Sequence, residues 1–190
     1  MSAPTRFALF DLAHMLACPV SQSSNRRCPV PTPKDSIQHF ENARQDRFRE
    51  GLCLWLHQAE TSRSGACYLL GFSVEIGMKA AYFRVLGRGL ADDIDKSDLL
   101  AVKTRHPTLI KDESFHSLMF WAYALDDLRV QQGRPFVPGL SLELGRRSQA
   151  AYNRWRVGLR YRTDTTSPAD LETLVETASW FDRIYTTLHT

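Results

Sequence analysis

Six arginines and no acid fall within residues 146–162, RRSQAAYNRWRVGLRYR. A guanidinium stays charged and offers a planar fork of donors, so a cluster of this kind is suited to gripping phosphates two bonds at a time. On a continuous helix Arg146, Gln149, Asn153, Arg156 and Arg160 would share one polar stripe, opposite a core face of Leu144, Tyr152, Trp155 and Leu159. Arg156, Arg160 and Arg162 are then the candidate phosphate contacts, and Tyr161 is placed to stack on a base. The competing reading is an ion-paired surface, with these arginines satisfied by Glu75 or by Asp170 and Glu172 of neighbouring helices. Arginine outnumbers lysine 19 to 5 in this chain, which favours anion recognition.

Histidines come next. His116 lies where a helix is expected to begin, and His106 lies in an expected loop; either could act as an acid or base near neutral pH. Glu75 and Lys79 are one helical turn apart, a spacing that makes an ion pair, or that leaves Glu75 as a buried anchor for an arginine. Metal chemistry finds no support. Asp93, Asp95 and Ser97 begin like a calcium loop, but Asp98 stands where glycine is needed and Thr104 where glutamate is needed. His14, Cys18 and Cys28 lack the spacing of a zinc site. Without a Walker loop or a Rossmann glycine fingerprint, a bound nucleotide must be held by side chains, and no cofactor is expected.

The elements that carry these residues are helical. Residues 1–34 combine a short apolar patch at 7–16 with a segment holding Pro29, Pro31 and Pro33, and read as a partly ordered extension to a domain at 35–190. From Asp35 onward the apolar spacing is three-and-four, and strand alternation is absent. A first helix is expected from an Asp35 cap to about Ser62, and a second over 65–86, closed by Gly87 and Gly89. Gly71, Gly77 and Ala80 inside the second helix imply that a neighbour approaches closely. A loop over 88–112 carries Asp92, Asp93, Asp95 and Asp98. A third helix spans 113–132 and ends at Gly133, a fourth is capped by Ser141, and a fifth starts at Ser167 with Pro168 in its first position and Asp170 completing a capping box. The expected fold is therefore all-α, a five-helix up-and-down bundle.

Composition bounds the rest. With 43% hydrophobic and 24% charged residues and a formal charge of +3, the 190-residue chain has the balance of a globular domain able to bury one core. No stretch is long and apolar enough to span a membrane. The stretch before Cys18 hints at a lipoprotein cleavage site, but Asp11 and His14 interrupt its apolar region. Four scattered cysteines do not form a disulfide scaffold, so a reducing cytoplasm is the expected setting.

Three segments resemble one known family. The segment YLLGFSVEIGMKA at 68–80 resembles the second helix of HEPN domains, with a Glu and a Lys one turn apart in an apolar helix. Phe115, His116, Ser117 and Leu118 resemble the start of that family's third helix, and WRVGLRY at 155–161 its aromatic and Arg-Tyr segment. The order and spacing fit across about residues 36–189. The resemblance implies a helical bundle that is often dimeric, is often paired with a nucleotidyltransferase, or serves as an RNase in toxin and defence systems. In nuclease members an arginine and a nearby histidine do the chemistry, and here the sequence departs: 163–167 follow Arg162 without a histidine, and the Arg183–His189 match is one that composition alone supplies. Three functions follow as expectations. The first is a non-catalytic module binding RNA, a nucleotide or a partner that acts on them, with Trp155, Glu75 and Lys79 as framework. The second is a metal-independent RNase with His116 or His106 as acid/base and Arg160 as phosphate clamp. The third is a protein-interaction module without nucleic-acid contact, docking through its apolar patch at 7–16.

Overall fold

The computed structural model describes residues 35–57, 62–109, 115–155, 159 and 166–190. The extension at 1–34 and Arg156, Arg160, Tyr161 and Arg162 lie outside the described residues. The described elements are β1 (Asp35–Ser36), α1 (Ile37–Leu56), α2 (Arg63–Val85), β2 (Asp93–Ile94), α3 (Lys96–Arg105), a 3-10 turn (Pro107–Leu109), α4 (Leu118–Gln131), α5 (Pro138–Arg154) and α6 (Pro168–His189). The fold is mostly helical, with six α-helices among the described residues rather than five.

The sixth helix is α3, which occupies the expected long loop. Its start is set by the residues that resembled a calcium loop. The Asp95 side chain accepts from the backbone of Ser97 and Asp98, while the Asp98 side chain accepts from the Asp95 N–H, a reciprocal capping box. Asp98 also pairs with Arg88 at 2.7 Å, so Asp95 and Asp98 are consumed in tying this helix down. A second departure is the short antiparallel bridge between β1 and β2, pairing Asp35 with Ile94 and Ser36 with Asp93. Two residues are too few to show alternation in a sequence. The bridge has a local purpose: Ile37 and Gln38, whose N–H groups have no partner inside α1, donate to the Asp92 and Leu90 carbonyls. Ser36, not Asp35, is the cap of α1, its hydroxyl accepting from the His39 N–H at 3.3 Å.

α2 is the axis of the bundle and packs against α1, α4 and α6. Seventeen of its 23 residues are buried, so it carries no single apolar stripe but is enclosed on nearly all sides. The small residues make that enclosure possible. A Cβ on Gly71 would lie 2.1 Å from the Trp155 ring, and one on Gly77 would lie 2.8 Å from the Arg44 side chain. The Trp155 indole N–H donates to the Tyr68 carbonyl at 3.1 Å, fixing the indole against α2.

α5 starts earlier than expected, with Pro138 in its first turn, and Ser141 bonds to Asp126 of α4 at 2.6 Å instead of capping. Its end is the larger correction. α5 stops at Arg154, and Trp155 has extended backbone (φ −90°, ψ 135°), so no single helix carries a polar stripe from Arg146 to Arg160. The indole's docking on Gly71 explains the break, because a helical Trp155 would continue along α5 rather than turn into α2. α6 begins at Ser167 and Pro168 as its sequence indicates, with Ser167 Oγ accepting from the Asp170 N–H at 3.1 Å; the Asp170 carboxylate accepts from that hydroxyl at 2.7 Å, in place of the backbone bond of a reciprocal box.

Candidate ligand groove

Two helical stripes face each other across an open cavity of about 380 Å³. α1 contributes His39, Phe40, Ala43 and Arg47; α2 contributes Phe72, Glu75, Ile76 and Lys79. The spacing of three and four residues within each set puts them on one side of their helix. Asp35 of β1 and His116, just before α4, complete the lining.

Glu75 organises this site. It is fully buried, and a buried carboxylate is tolerated only when paired and hydrogen-bonded. The Lys79 ammonium donates to its Oε1, as the turn spacing anticipates, and His116 Nδ1 lies 3.0 and 3.1 Å from its two oxygens. An ionised carboxylate only accepts, so Nδ1 carries the proton in this contact. The ring is half-exposed toward solvent while its anchor is not. Its position comes from the helix start behind it. The Ser117 hydroxyl caps α4 by accepting from the Phe120 N–H, and the Trp121 indole N–H donates to the Phe115 carbonyl at 2.9 Å. The same Trp121 ring centroid lies 5.5 Å from the Lys79 ammonium, a cation–π contact. Glu75 thus anchors a lysine and a histidine, and its contacts among the described residues include no arginine.

His106 is the reverse of the unconstrained loop residue that its sequence position suggests. It is fully buried at the C-cap of α3, with Nδ1 2.6 Å from an Asp127 carboxylate oxygen and Nε2 3.0 Å from the Tyr82 hydroxyl. Burial raises the Tyr82 pKa, with Arg105 opposing and Asp127 adding to the effect. This hydrogen-bond chain ties α3 to α2 and α4, and His106 is closed off from solvent within it. His189 packs on Tyr185 with ring centroids 4.9 Å apart, and burial above all lowers its pKa. Arg183, its partner in the formal spacing match, is exposed.

The described arginines of 146–162 face carboxylates. Arg146 holds Glu143 with two bonds of 2.7 Å, Arg147 adds a third of 2.5 Å, and Arg154 lies 3.1 Å from Asp170. The hydrogen bond from Arg146 is the largest cause holding the Glu143 pKa down to about 2. For these three the ion-paired reading holds. Glu75 and Lys79 are legible in the sequence as a pair and His116 apart from them; the structure joins the three. It missed His39, Phe40, Arg47, Phe72 and Ile76 as site residues, because Phe40 reads equally well as core. The available signal was Phe40, Ala43 and Arg47 in one row, an apolar pair continued by a cation.

Among the described residues no cluster of three or more His, Cys, Asp or Glu side chains could hold a metal ion, and no helix is long and apolar enough to cross a membrane. What fold and site define together is a helical bundle with a groove of mixed apolar and ionisable lining. No family model, curated protein or solved structure matches this sequence.

Proposed function

We propose that this chain is a HEPN-like helical module that binds RNA or a nucleotide without acting on it, and that the groove between α1 and α2 receives the ligand. The observation that carries this reading is the lining: Phe40, Phe72 and Ile76 offer a surface for a base, and Arg47, Lys79, His39 and His116 offer donors for phosphate. A volume near 380 Å³ lies within the range of small-ligand sites, about 300–1,000 Å³. Arg156, Arg160, Tyr161 and Arg162 remain the proposed second contact zone for a longer strand, on the strength of their sequence.

Fluorescence titration of a short single-stranded oligoribonucleotide and of a mononucleotide tests the assignment. Phe72→Ala should weaken both by about tenfold, since a lost stacking contact costs about 1–3 kcal/mol. Arg156→Ala with Arg160→Ala should weaken the oligonucleotide alone and flatten its salt dependence. Unchanged binding in Phe72→Ala removes the groove from the reading. The module is proposed to act as a homodimer or beside a nucleotidyltransferase-type partner, which light scattering and co-purification would test.

A second reading is a metal-independent RNase with His116 as acid or base and Arg160 as clamp. The Glu75–His116 contact favours it, because a buried carboxylate fixes the tautomer and orientation of a solvent-reaching imidazole. Incubating purified protein with RNA in a chelator decides the matter: cleavage lost in His116→Ala supports it, and intact RNA rejects it.

A further inference from the structure

We propose that α3 is a strap that undocks from the bundle as a unit while α1, α2, α4, α5 and α6 stay folded, that His106 is its catch, and that lifting it uncovers the Tyr82 hydroxyl.

The helices differ in how they are held. Of the ten residues of α3 only Val102 is buried, and Leu99 is partly buried against the core. α2 buries 17 of its 23 residues, α4 eight of 14 and α6 seven of 22. Apolar surface that leaves the core gains nothing from water in return, so what an element buries sets how much its departure costs. A segment with few buried apolar contacts is the kind that opens locally while the rest of the domain stays closed.

α3 is fastened by polar contacts instead. His106, at its C-cap, is 1% exposed, with Nδ1 2.6 Å from Asp127 of α4 and Nε2 3.0 Å from the Tyr82 hydroxyl of α2. Arg88, ahead of β2, holds Asp98 at 2.7 Å, and the Lys103 ammonium lies 4.2 Å from the Phe115 ring centroid. Asp95 and Lys103 each make a further polar or ring contact. Fastenings of this kind are exchanged for bonds to water when they part, so each holds the strap far less firmly than an equal number of buried side chains.

Once lifted, α3 does not persist as a helix. Ten residues are too few to stay helical in water without packing, so undocking hands the α3 backbone amides to solvent. It also bares a phenol. Tyr82 is fully buried, edge-on to His106 with ring centroids 5.7 Å apart and to Trp121 at 5.8 Å. The groups facing its hydroxyl from this side, His106 and the Arg105 guanidinium, both belong to the end of α3. The strap therefore governs whether Tyr82 and His106, a phenol and an imidazole side by side, meet solvent.

Hydrogen exchange of the full chain, read by mass spectrometry in urea below the unfolding transition, tests this. Amides of 97–106 should exchange at least about 100-fold faster than those of 70–83, each relative to its unprotected rate, and should hardly respond to urea, because lifting α3 exposes little surface. Leu174→Ala, which removes a fully buried side chain of α6, should speed the α2 amides and leave the α3 amides as they are. Arg88→Ala cuts one fastening from outside α3 and away from Tyr82. It should speed the α3 amides by about two- to fivefold, and nitration of Tyr82 by tetranitromethane, located by peptide mapping, should rise by the same factor. His106→Ala should raise both by at least about tenfold. Equal protection and equal urea dependence in α2 and α3 overturn the strap, and so does a Leu174→Ala effect on α3 that matches the one on α2. Fast α3 amides with Tyr82 nitration unchanged in Arg88→Ala mean fraying in place, and reject it too.

Discussion

Gly71→Ala is the change that tests the architecture most directly. A Cβ at this position would lie 2.1, 2.2 and 2.6 Å from three atoms of the Trp155 indole, far inside van der Waals contact. The indole is held by its bond to Tyr68 and is 2% exposed, so it has little freedom to withdraw without leaving its site. Evicting a buried tryptophan costs about 3–5 kcal/mol, and the lost hydrogen bond adds about 1 kcal/mol. Alanine's better helix propensity returns about 1 kcal/mol, and partial repacking returns some more. The net expectation is a loss of about 2–4 kcal/mol, or roughly 5–15 °C in Tm for a domain of this size. Urea and thermal unfolding measure it. A double-mutant cycle sharpens the test: with Trp155→Ala already in place the added methyl has room, so the two changes should couple by more than about 1 kcal/mol. A stabilising or neutral Gly71→Ala, or strict additivity with Trp155→Ala, would refute the packing argument.

Glu75→Ala leaves Lys79 buried without its carboxylate and should cost about 3–5 kcal/mol in urea unfolding, whereas Glu75→Leu with Lys79→Met should recover most of that loss. Asp95→Ala removes the reciprocal cap of α3 and should destabilise by about 1 kcal/mol, with faster amide exchange confined to α3 and the neighbouring bridge. His189 has its folded pKa lowered by burial, so the unfolded chain binds more protons between that value and the ordinary histidine one. Stability should therefore be complete above about pH 6.5 and fall as pH drops through the lowered value; His189→Gln should lessen that fall in the urea midpoint between about pH 7.5 and 5.5. Cys67 is buried, and desolvation raises its pKa to about 12, while Cys53 is exposed, so brief alkylation mapped by mass spectrometry should modify Cys53 and spare Cys67 in the folded protein.

Features that depend on neighbours along the chain are legible before any coordinates are seen. Helical periodicity, the Ser167–Pro168–Asp170 start of α6, the turn-spaced Glu75–Lys79 pair and the glycines at 87 and 133, which take φ of +95° and +69°, are local matters of cap chemistry, pitch and backbone freedom. Gly71 and Gly77 also announced close packing on α2, though not which residue would fill the space. α3 is hidden because its apolar residues run together at 99–102 instead of at helical spacing, and Val102 alone is buried, so its amphipathic signal is faint; its cap, not its stripe, marks it. Only the tertiary structure decided the site. His116 stands 41 residues from Glu75, and α1 and α2 are separate helices, so no periodicity relates the walls of the groove. Whether an arginine is free or paired is also a question about space: Arg146 and Arg147 share a glutamate on their own helix, while Arg154 reaches Asp170 on the next. Charge in a sequence is a property of residues, but the field it makes depends on which opposite charges the fold brings within a few ångströms.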